Sequence, residues 1–170
     1  MSSPQSSLRL NVGFIAHQTV GYSRDFFFEL ERIHLPPDLV LKNLKGCANF
    51  TRTTQGLVSK LSFSGSADMT CARCLDAFPL TLNIDSTELY VFATHAQSGT
   101  DLIFPENGWI DLFPIVRDYM YLEIPINPIC QEDCKGLCPI CGKNLNQNAC
   151  NHETEATDSR LAILKSLLDE

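Results

Sequence analysis

The stretch CQEDCKGLCPICGKNLNQNACNH, residues 130–152, contains five cysteines and one histidine. Upstream, CARC places Cys71 and Cys74 two residues apart, and Cys138 and Cys141 repeat that spacing. Two cysteines at this spacing can direct both sulfur atoms to one ion across a tight turn. The same thiols can also form disulfides, a redox dithiol or a catalytic nucleophile. The compartment and the number of donors discriminate between these interpretations.

The N-terminal residues, MSSPQSSLRL, lack the charged and then apolar pattern of a secretory signal. No run in the chain approaches the ~18 apolar residues of a membrane span. We therefore expect a cytoplasmic protein with no membrane segment. Thiols stay reduced in the cytoplasm, where clustered cysteines form metal or redox sites more often than disulfides. A metal site is the preferred interpretation of the clusters.

Eight side chains supply donors of the kind that zinc prefers, enough for two ions with four ligands each. They are Cys71, Cys74, Cys130, Cys134, Cys138, Cys141, Cys150 and His152. The partition that follows the chain joins the first four in one site and the last four in a second, local site. A single site in which Cys134 replaces His152 is the alternative. The predicted cofactor is one or two Zn²⁺ ions per chain.

Two further residues are interpreted from their position. Gly142 directly follows a CxxC pair, where a zinc knuckle often needs a residue with positive φ. Cys47 stands alone in a predicted strand and is interpreted as a small buried hydrophobe.

Four protein ligands leave a zinc ion no open coordination position, so the sites are expected to be structural. The chain also lacks the G-x-S-x-G, P-loop, H-E-x-x-H and G-x-G-x-x-G motifs. We therefore predict no catalytic residue and no enzymatic activity.

Hydrophobic patterning predicts an α+β fold with a predominantly antiparallel β N-terminal region. LRLNVGFIA (residues 8–16) and DFFFELERI (residues 25–33) favour strands, and a long extended segment follows CARC. We expect a single domain over residues 1–170. Its parts are a β-rich core with one mid-chain helix (8–127), a Cys-rich, zinc-knuckle-like metal-binding segment (128–153) and a C-terminal helix (156–170).

The clearest hairpin is KGCANFTRTTQGLVSKLSFSGSADMTC, residues 45–71. Two alternating segments flank TQG, in which Gly56 is suited to a positive φ in a tight turn. Gly65 is expected to form a bulge or a second turn.

The mid-chain helix is predicted within IDLFPIVRDYMYLEIP, residues 110–125. Asp111 can cap its N terminus, and Pro114 falls in the first turn, where its missing N–H costs little. Apolar side chains at helical spacing predict one apolar face. They are Leu112, Ile115, Val116, Tyr119 and Leu122.

The formal net charge is −7, which by itself argues against nucleic acid as a partner. The charge is nevertheless unevenly distributed. Between Leu39 and Leu75 the only acid is Asp68, and the bases are Lys42, Lys45, Arg52, Lys60 and Arg73. This window therefore carries about +4 and the remainder about −11. A binding patch and an ordinary solvated surface both explain the excess.

Several blocks, by their order and separation, resemble the YceD family, whose members are linked to accumulation of large-subunit ribosomal RNA. The blocks are RTTQGL, CARCLDAF, IDLFPIVRDYMYLEIPINPIC, CKGLCPICGKNLN and DSRLAILKSLL. Cys71 and Cys74 match the family's C-x-R-C, with Arg73 at the basic position. The family's later cysteines are matched by Cys130, Cys134, Cys138, Cys141 and Cys150, and His152 stands where many relatives have a final cysteine. The resemblance implies a role in ribosome assembly.

Two functions fit these features. The first is a non-enzymatic factor that binds ribosomal RNA or a pre-ribosomal particle, with contacts from Lys45, Arg52, Lys60 and Arg73. Arg52, just before the turn, is expected to project outward and present a planar fork to phosphate, unless it pairs with Asp68. The alternative is a zinc-stapled module that docks a protein partner.

Overall fold

Residues 7–96 and 102–152, which the computed structural model describes, form a β-rich fold with short helices. In chain order the elements are β1 (Arg9–Asn11), α1 (Gly13–Ala16), β2 (Ser23–Leu35), β3 (Leu39–Arg52), β4 (Gly56–Thr70), β5 (Ala77–Val91), β6 (Leu102–Ile103), β7 (Trp109–Asp111) and α2 (Phe113–Leu122). Strands β2 to β5 form an antiparallel meander, and β6 lies beside β5 in parallel. A second, two-stranded sheet pairs β1 with β7. The α+β class, with a mostly antiparallel sheet, is confirmed.

Side chains on β4 alternate between the two faces of the main sheet, as the two-residue period of a strand requires. Leu57, Leu61 and Phe63 are buried on the inner face. Lys60 and Ser62, between them, are exposed on the outer face. The long strands therefore present one apolar and one polar surface.

The inner face is covered by the short elements that precede and follow the meander. Ile15 of α1 and Ile110 of β7 are buried in the same apolar cluster as the strands. Helix α2 adds Val116 and Met120, both fully buried. This cluster is the main core of the described residues, and it leaves the outer face of the sheet uncovered by them.

The first predicted strand, residues 8–16, is wrong beyond Asn11. The Asn11 side chain accepts a hydrogen bond from the Gly13 N–H at 2.9 Å, and the Val12 N–H donates to the Gly108 carbonyl at 2.8 Å. These bonds turn the backbone out of the extended conformation, and α1 follows at once. A side chain that bonds its own backbone in this way competes with a strand ladder.

The turn between β3 and β4 depends on glycine for a reason other than the one predicted. Gly56 is not among the residues with positive φ. A Cβ atom at this position would instead overlap the carbonyl group of Tyr90 on the neighbouring β5. Gly65 lies in regular register with Leu82, and the bulge is opposite it, between Lys42 and Lys45 of β3.

Helix α2 lies within the predicted helical segment. The Asp111 carboxylate accepts a hydrogen bond from the Phe113 N–H at 2.9 Å, and Pro114 occupies the first turn. The apolar face of the helix differs from the predicted one at its C-terminal end. Met120 is fully buried there, whereas Leu122 is 77% exposed. The predicted C-terminal helix (156–170) lies outside the described residues. None of the helices in the described ranges has the length and apolar character needed to cross a membrane.

Substituting Gly56→Ala should destabilise the protein by about 1–3 kcal/mol, because the new methyl group must displace the backbone of β5. Gly65→Ala is the matched control, since its Cβ would lie at ordinary contact distance, 3.4 Å or more from Leu44 and Leu41. We expect the control to be neutral or stabilising by up to about 1 kcal/mol. Urea denaturation measures both, and equal losses would contradict the close-approach explanation.

Candidate metal centres

The first donor group joins the turn between β4 and β5 to the segment that follows α2. Cys71 and Cys74 lie in that turn, and Cys130 and Cys134 come from the later segment. The Sγ atoms of Cys71 and Cys134 are 3.8 Å apart, and those of Cys74 and Cys130 are 3.7 Å apart. All four sulfur atoms lie within 4.8 Å of one another. We call this group site one.

The geometry of site one fits an ion and not a disulfide. A tetrahedral site with the sulfur–metal distance of zinc thiolates, about 2.3 Å, has sulfur–sulfur edges of about 3.8 Å. A disulfide bond would bring two sulfurs to about 2.05 Å. Cys71, Cys74 and Cys134 are buried and Cys130 is half-buried, so the four sulfurs are largely shielded from water. The donor set therefore suits a soft, tetrahedral metal ion.

Backbone N–H groups point at the sulfur atoms of site one. Those of Arg73 and Cys130 each lie 3.4 Å from the Cys71 Sγ. Hydrogen bonding from the backbone, chiefly from Cys74, lowers the pKa of the Cys71 thiol to about 6. Burial raises the pKa of Cys130 to about 12. The turn thus favours a thiolate at Cys71, and a positive ion would be needed to hold Cys130 in the same charged form.

The second donor group is local to the end of the described chain. It contains Cys138, Cys141, Cys150 and His152, whose donor atoms also lie within 4.8 Å of one another. The Cys138 Sγ is 3.8 Å from the His152 Nδ1. Backbone N–H groups, first that of Cys141, lower the pKa of Cys138 to about 6. We call this group site two. It is more open than site one, because Cys141 is exposed.

The two CxxC turns share one backbone geometry. The Leu75 N–H donates to the Cys71 carbonyl at 3.0 Å, and the Gly142 N–H donates to the Cys138 carbonyl at 2.8 Å. The residue after the second cysteine has positive φ in both, 61° at Leu75 and 69° at Gly142. The positive φ expected for Gly142 is therefore present. Leu75 adopts the same conformation although its side chain makes it costly.

Two side-chain contacts connect the loop of site two to site one and the β4–β5 turn, and a third lies within site one. Asn146, in the loop of site two, donates from Nδ2 to the Cys134 Sγ at 3.3 Å. The Arg73 guanidinium donates to the Cys134 carbonyl at 3.0 Å. Asp76 accepts from Asn144 at 2.6 Å. The site-two loop therefore rests on site one and on the β4–β5 turn.

The four basic residues proposed for RNA do not share one surface. Lys45 and Lys60 are on the outer face of the sheet, whereas Arg73 lies at site one, where it donates to the Cys134 carbonyl. The expected outward projection of Arg52 is wrong. Its Nε donates to the Ala16 carbonyl at 3.0 Å, and its guanidinium lies 4.4 Å from the Phe92 ring centroid. Asp68 pairs with Lys42, so the alternative pairing with Arg52 is also wrong.

Comparison of the sequence with known proteins identifies a family. The family model described as large ribosomal RNA subunit accumulation protein YceD matches residues 59–168. The chain belongs to the YceD family. The matched region contains every donor of sites one and two, whereas Lys45 and Arg52 precede it.

Relatives of this YceD protein occur in bacteria and plants. An uncharacterized protein of Mycobacterium tuberculosis is 35% identical over 58% of this chain and 49% of its own. The uncharacterized protein YlbN of Bacillus subtilis is 32% identical over 64% of each chain. The Arabidopsis thaliana protein named large ribosomal RNA subunit accumulation protein YCED homolog 1, chloroplastic, is 39% identical over 39% of this chain and 21% of its own. Each match spans less than two thirds of the relative's length. No solved structure matches the chain.

Several contacts of the YceD centres were not predicted from the sequence. Asn146 and Asp76 carry no spacing signal, because their partners come from distant segments. A signal did exist for Arg52. It follows the buried Ala48 and Phe50 at two-residue spacing, so all three side chains belong to the inner face of the strand. Cys47 is only half-buried on the outer face, so its interpretation as a buried residue is wrong.

Substitutions at the two positive-φ positions, Gly142 and Leu75, should change the stability of the protein in opposite directions. Gly142→Ala should cost about 1–2 kcal/mol from backbone strain alone, because no atom lies within 4 Å of the added Cβ. Leu75→Gly should stabilise by up to about 1 kcal/mol, since it removes that strain and loses a side chain that is 62% exposed. Chemical denaturation of the two variants measures the change in the free energy of unfolding, which should fall for Gly142→Ala and rise for Leu75→Gly. A destabilising Leu75→Gly would show that the packing of the leucine outweighs its strain.

Proposed function

We propose that this YceD protein is a non-enzymatic cytoplasmic factor that supports accumulation of large-subunit ribosomal RNA. It does so by binding RNA or a pre-ribosomal particle, and sites one and two each hold a structural zinc ion. The family match over residues 59–168, which includes both donor groups, is the observation that carries the proposal.

The donor sets support zinc in a structural role. Three or four thiolates with at most one imidazole are the ligands of structural zinc sites, and four protein donors leave no position for a substrate. The N–H groups aimed at Cys71 would orient its sulfur and stabilise its charge. Bound zinc at site one would fasten the β4–β5 turn to the segment after α2.

The outer face of the sheet supports the RNA contact. Phe27 of β2 is 81% exposed and lines, with Lys45, an open cavity of about 830 Å³. Lys60 lines a neighbouring cavity of about 360 Å³, and the two cavities share Cys47, Ser62 and Asp85. An exposed aromatic ring beside lysines is suited to stacking a base and neutralising phosphate. Arg52 and Arg73 have structural partners, so the two lysines are the better-supported contacts.

Lys45 already has an acidic neighbour, which sets how strong an RNA contact it can make. Its Nζ lies 2.7 Å from the Glu29 carboxylate, and the two side chains are 65% and 73% exposed. An ion pair this exposed contributes little, so a phosphate can replace it at small cost.

Purified protein should contain two zinc ions per chain by elemental analysis. Cys74→Ser should lower this number by about one and increase hydrogen exchange in the β4–β5 turn, because metal binding and local folding are coupled. Cys138→Ser should remove the second ion and leave exchange in β2 to β5 unchanged. Metal-free protein with undiminished stability would refute the zinc assignment.

Binding to a transcribed fragment of large-subunit ribosomal RNA should depend on salt. The double variant Lys45→Gln/Lys60→Gln should weaken binding and reduce the slope of log K against log salt by about 1.4, or ~0.7 per phosphate on single strands. Lys135→Gln/Lys143→Gln is the matched control, because it removes the same charge from two exposed lysines near the metal centres. If only the control weakens binding, the RNA lies at the metal centres and not on the sheet.

The alternative function, a module that docks a protein, is supported by the exposed apolar residues near the C-terminal end of α2. Leu122 is 77% and Ile126 97% exposed. Apolar side chains clustered on a surface are typical of protein contacts.

A further inference from the structure

A groove of about 300 Å³ lies between helix α2 and the edge of the main sheet. Its walls come from α2 on one side and from β5 and β6 on the other. The lining residues are Glu88, Leu102, Ile115, Asp118, Tyr119 and Leu122. None of them belongs to the metal centres or to the lysine-bearing face.

The walls of the groove combine exposed apolar side chains with two carboxylates. Leu122 is 77% exposed and Leu102 39% exposed, and Ile103, next to Leu102, is 54% exposed. Leu122 belongs to the predicted apolar face of α2, yet the core of the described residues uses Met120 in its place. A partner that covered this groove would remove these side chains from water, a favourable transfer of about 25 cal/mol per Å².

The edge of the sheet offers backbone hydrogen bonds on the same side. The Phe104 N–H donates to the Val91 carbonyl of β5 at 2.7 Å. Successive residues of a strand point their amides in opposite directions, so the N–H and C=O of Ile103 point away from β5. The strand order of the described residues ends at β6, and an incoming strand can pair there.

The charge of the groove selects its partner. Glu88 and Asp118 are its ionisable residues other than tyrosine, and both are acidic. The Glu88 Oε1 accepts a hydrogen bond from the Tyr119 hydroxyl at 2.6 Å, which holds the carboxylate in the groove. Asp118 is neutralised in part by Arg117 at 2.7 Å. Acidic walls repel phosphate, and they would also face each other if two copies of the chain met edge to edge.

We propose that this groove binds an extended basic peptide, which adds to β6 as a further strand. Alternate apolar side chains of the peptide pack on Leu102 and Leu122, and a lysine or arginine pairs with Glu88. Strand addition in a groove between a sheet edge and a helix is a known mode of peptide recognition. The inference does not rest on RNA binding or on zinc, and its failure would leave the proposed function standing.

Fluorescence anisotropy with the full chain can test the proposal. The probe is a fluorescein-labelled peptide in which every second residue is valine or lysine in turn, with threonine between them, so that one face of the strand carries both side chains. The control peptide has glutamate in place of each lysine. We expect the lysine peptide to bind at least ~10-fold more tightly, and binding to weaken as salt is added. A version of the lysine peptide with N-methylated backbone amides should lose binding, because it cannot pair with β6. Equal binding of the lysine and glutamate peptides would overturn the proposal, as would full binding of the methylated one.

Variants of the protein place the peptide in this groove. Leu122→Lys should weaken binding of the lysine peptide roughly tenfold, because it puts a like charge on an apolar wall. Val20→Lys is the matched control, since Val20 is 61% exposed and does not line the groove. Glu88→Gln keeps an acceptor for Tyr119 and should also weaken binding. An unchanged affinity in Leu122→Lys, or an equal loss in Val20→Lys, would overturn the assignment. A dimer in sedimentation that Leu122→Lys dissociates would assign the groove to a second copy instead.

Discussion

The convergence of four cysteine sulfurs at site one is the constraint that joins the Cys-rich segment, and with it site two, to the main sheet. Cys71 and Cys74 stand at the tip of the β4–β5 hairpin, and Cys130 and Cys134 lie beyond the end of α2. No large apolar cluster holds these segments together, because the local core adds only Phe78 and Ile129 to the four cysteines. A metal ion bound by these four sulfurs would fasten the two segments, as a hydrophobic core does elsewhere in the chain. Site two depends on this arrangement in turn, since its loop contacts Cys134 and Asp76.

The main sheet separates two chemical environments. Its inner face is filled by α1, α2 and the β1–β7 pair, and the half-buried Arg52 is held there by the Phe92 ring and the Ala16 carbonyl. The outer face carries hydroxyls, amides, lysines and the carboxylates of Glu29 and Asp85, together with the exposed Phe27. Function on the outer face therefore does not compete with packing, because the residues that stabilise the sheet point the other way.

Two exposed surfaces of different composition follow from this arrangement. The lysines of the outer face belong to the basic window between Leu39 and Leu75, whereas the groove beside α2 is lined by Glu88 and Asp118. A particle made of RNA and basic proteins presents both phosphates and basic peptide segments. The proposed RNA contact would use the outer face and the proposed peptide contact would use the groove, so the two proposals involve separate surfaces.

The sequence by itself determined the donors, the class of the fold and the family. Periodicity of two residues predicted the long strands, and CxxC spacing predicted which sulfurs share a turn, because both signals are local. The tertiary structure alone decided what depends on distant segments. It placed the Tyr90 carbonyl where only Gly56 fits, turned Arg52 into the inner face, left Leu122 exposed and brought Asn146 to Cys134. Residue spacing within one segment carries no information about which atoms of another segment will lie within bonding distance.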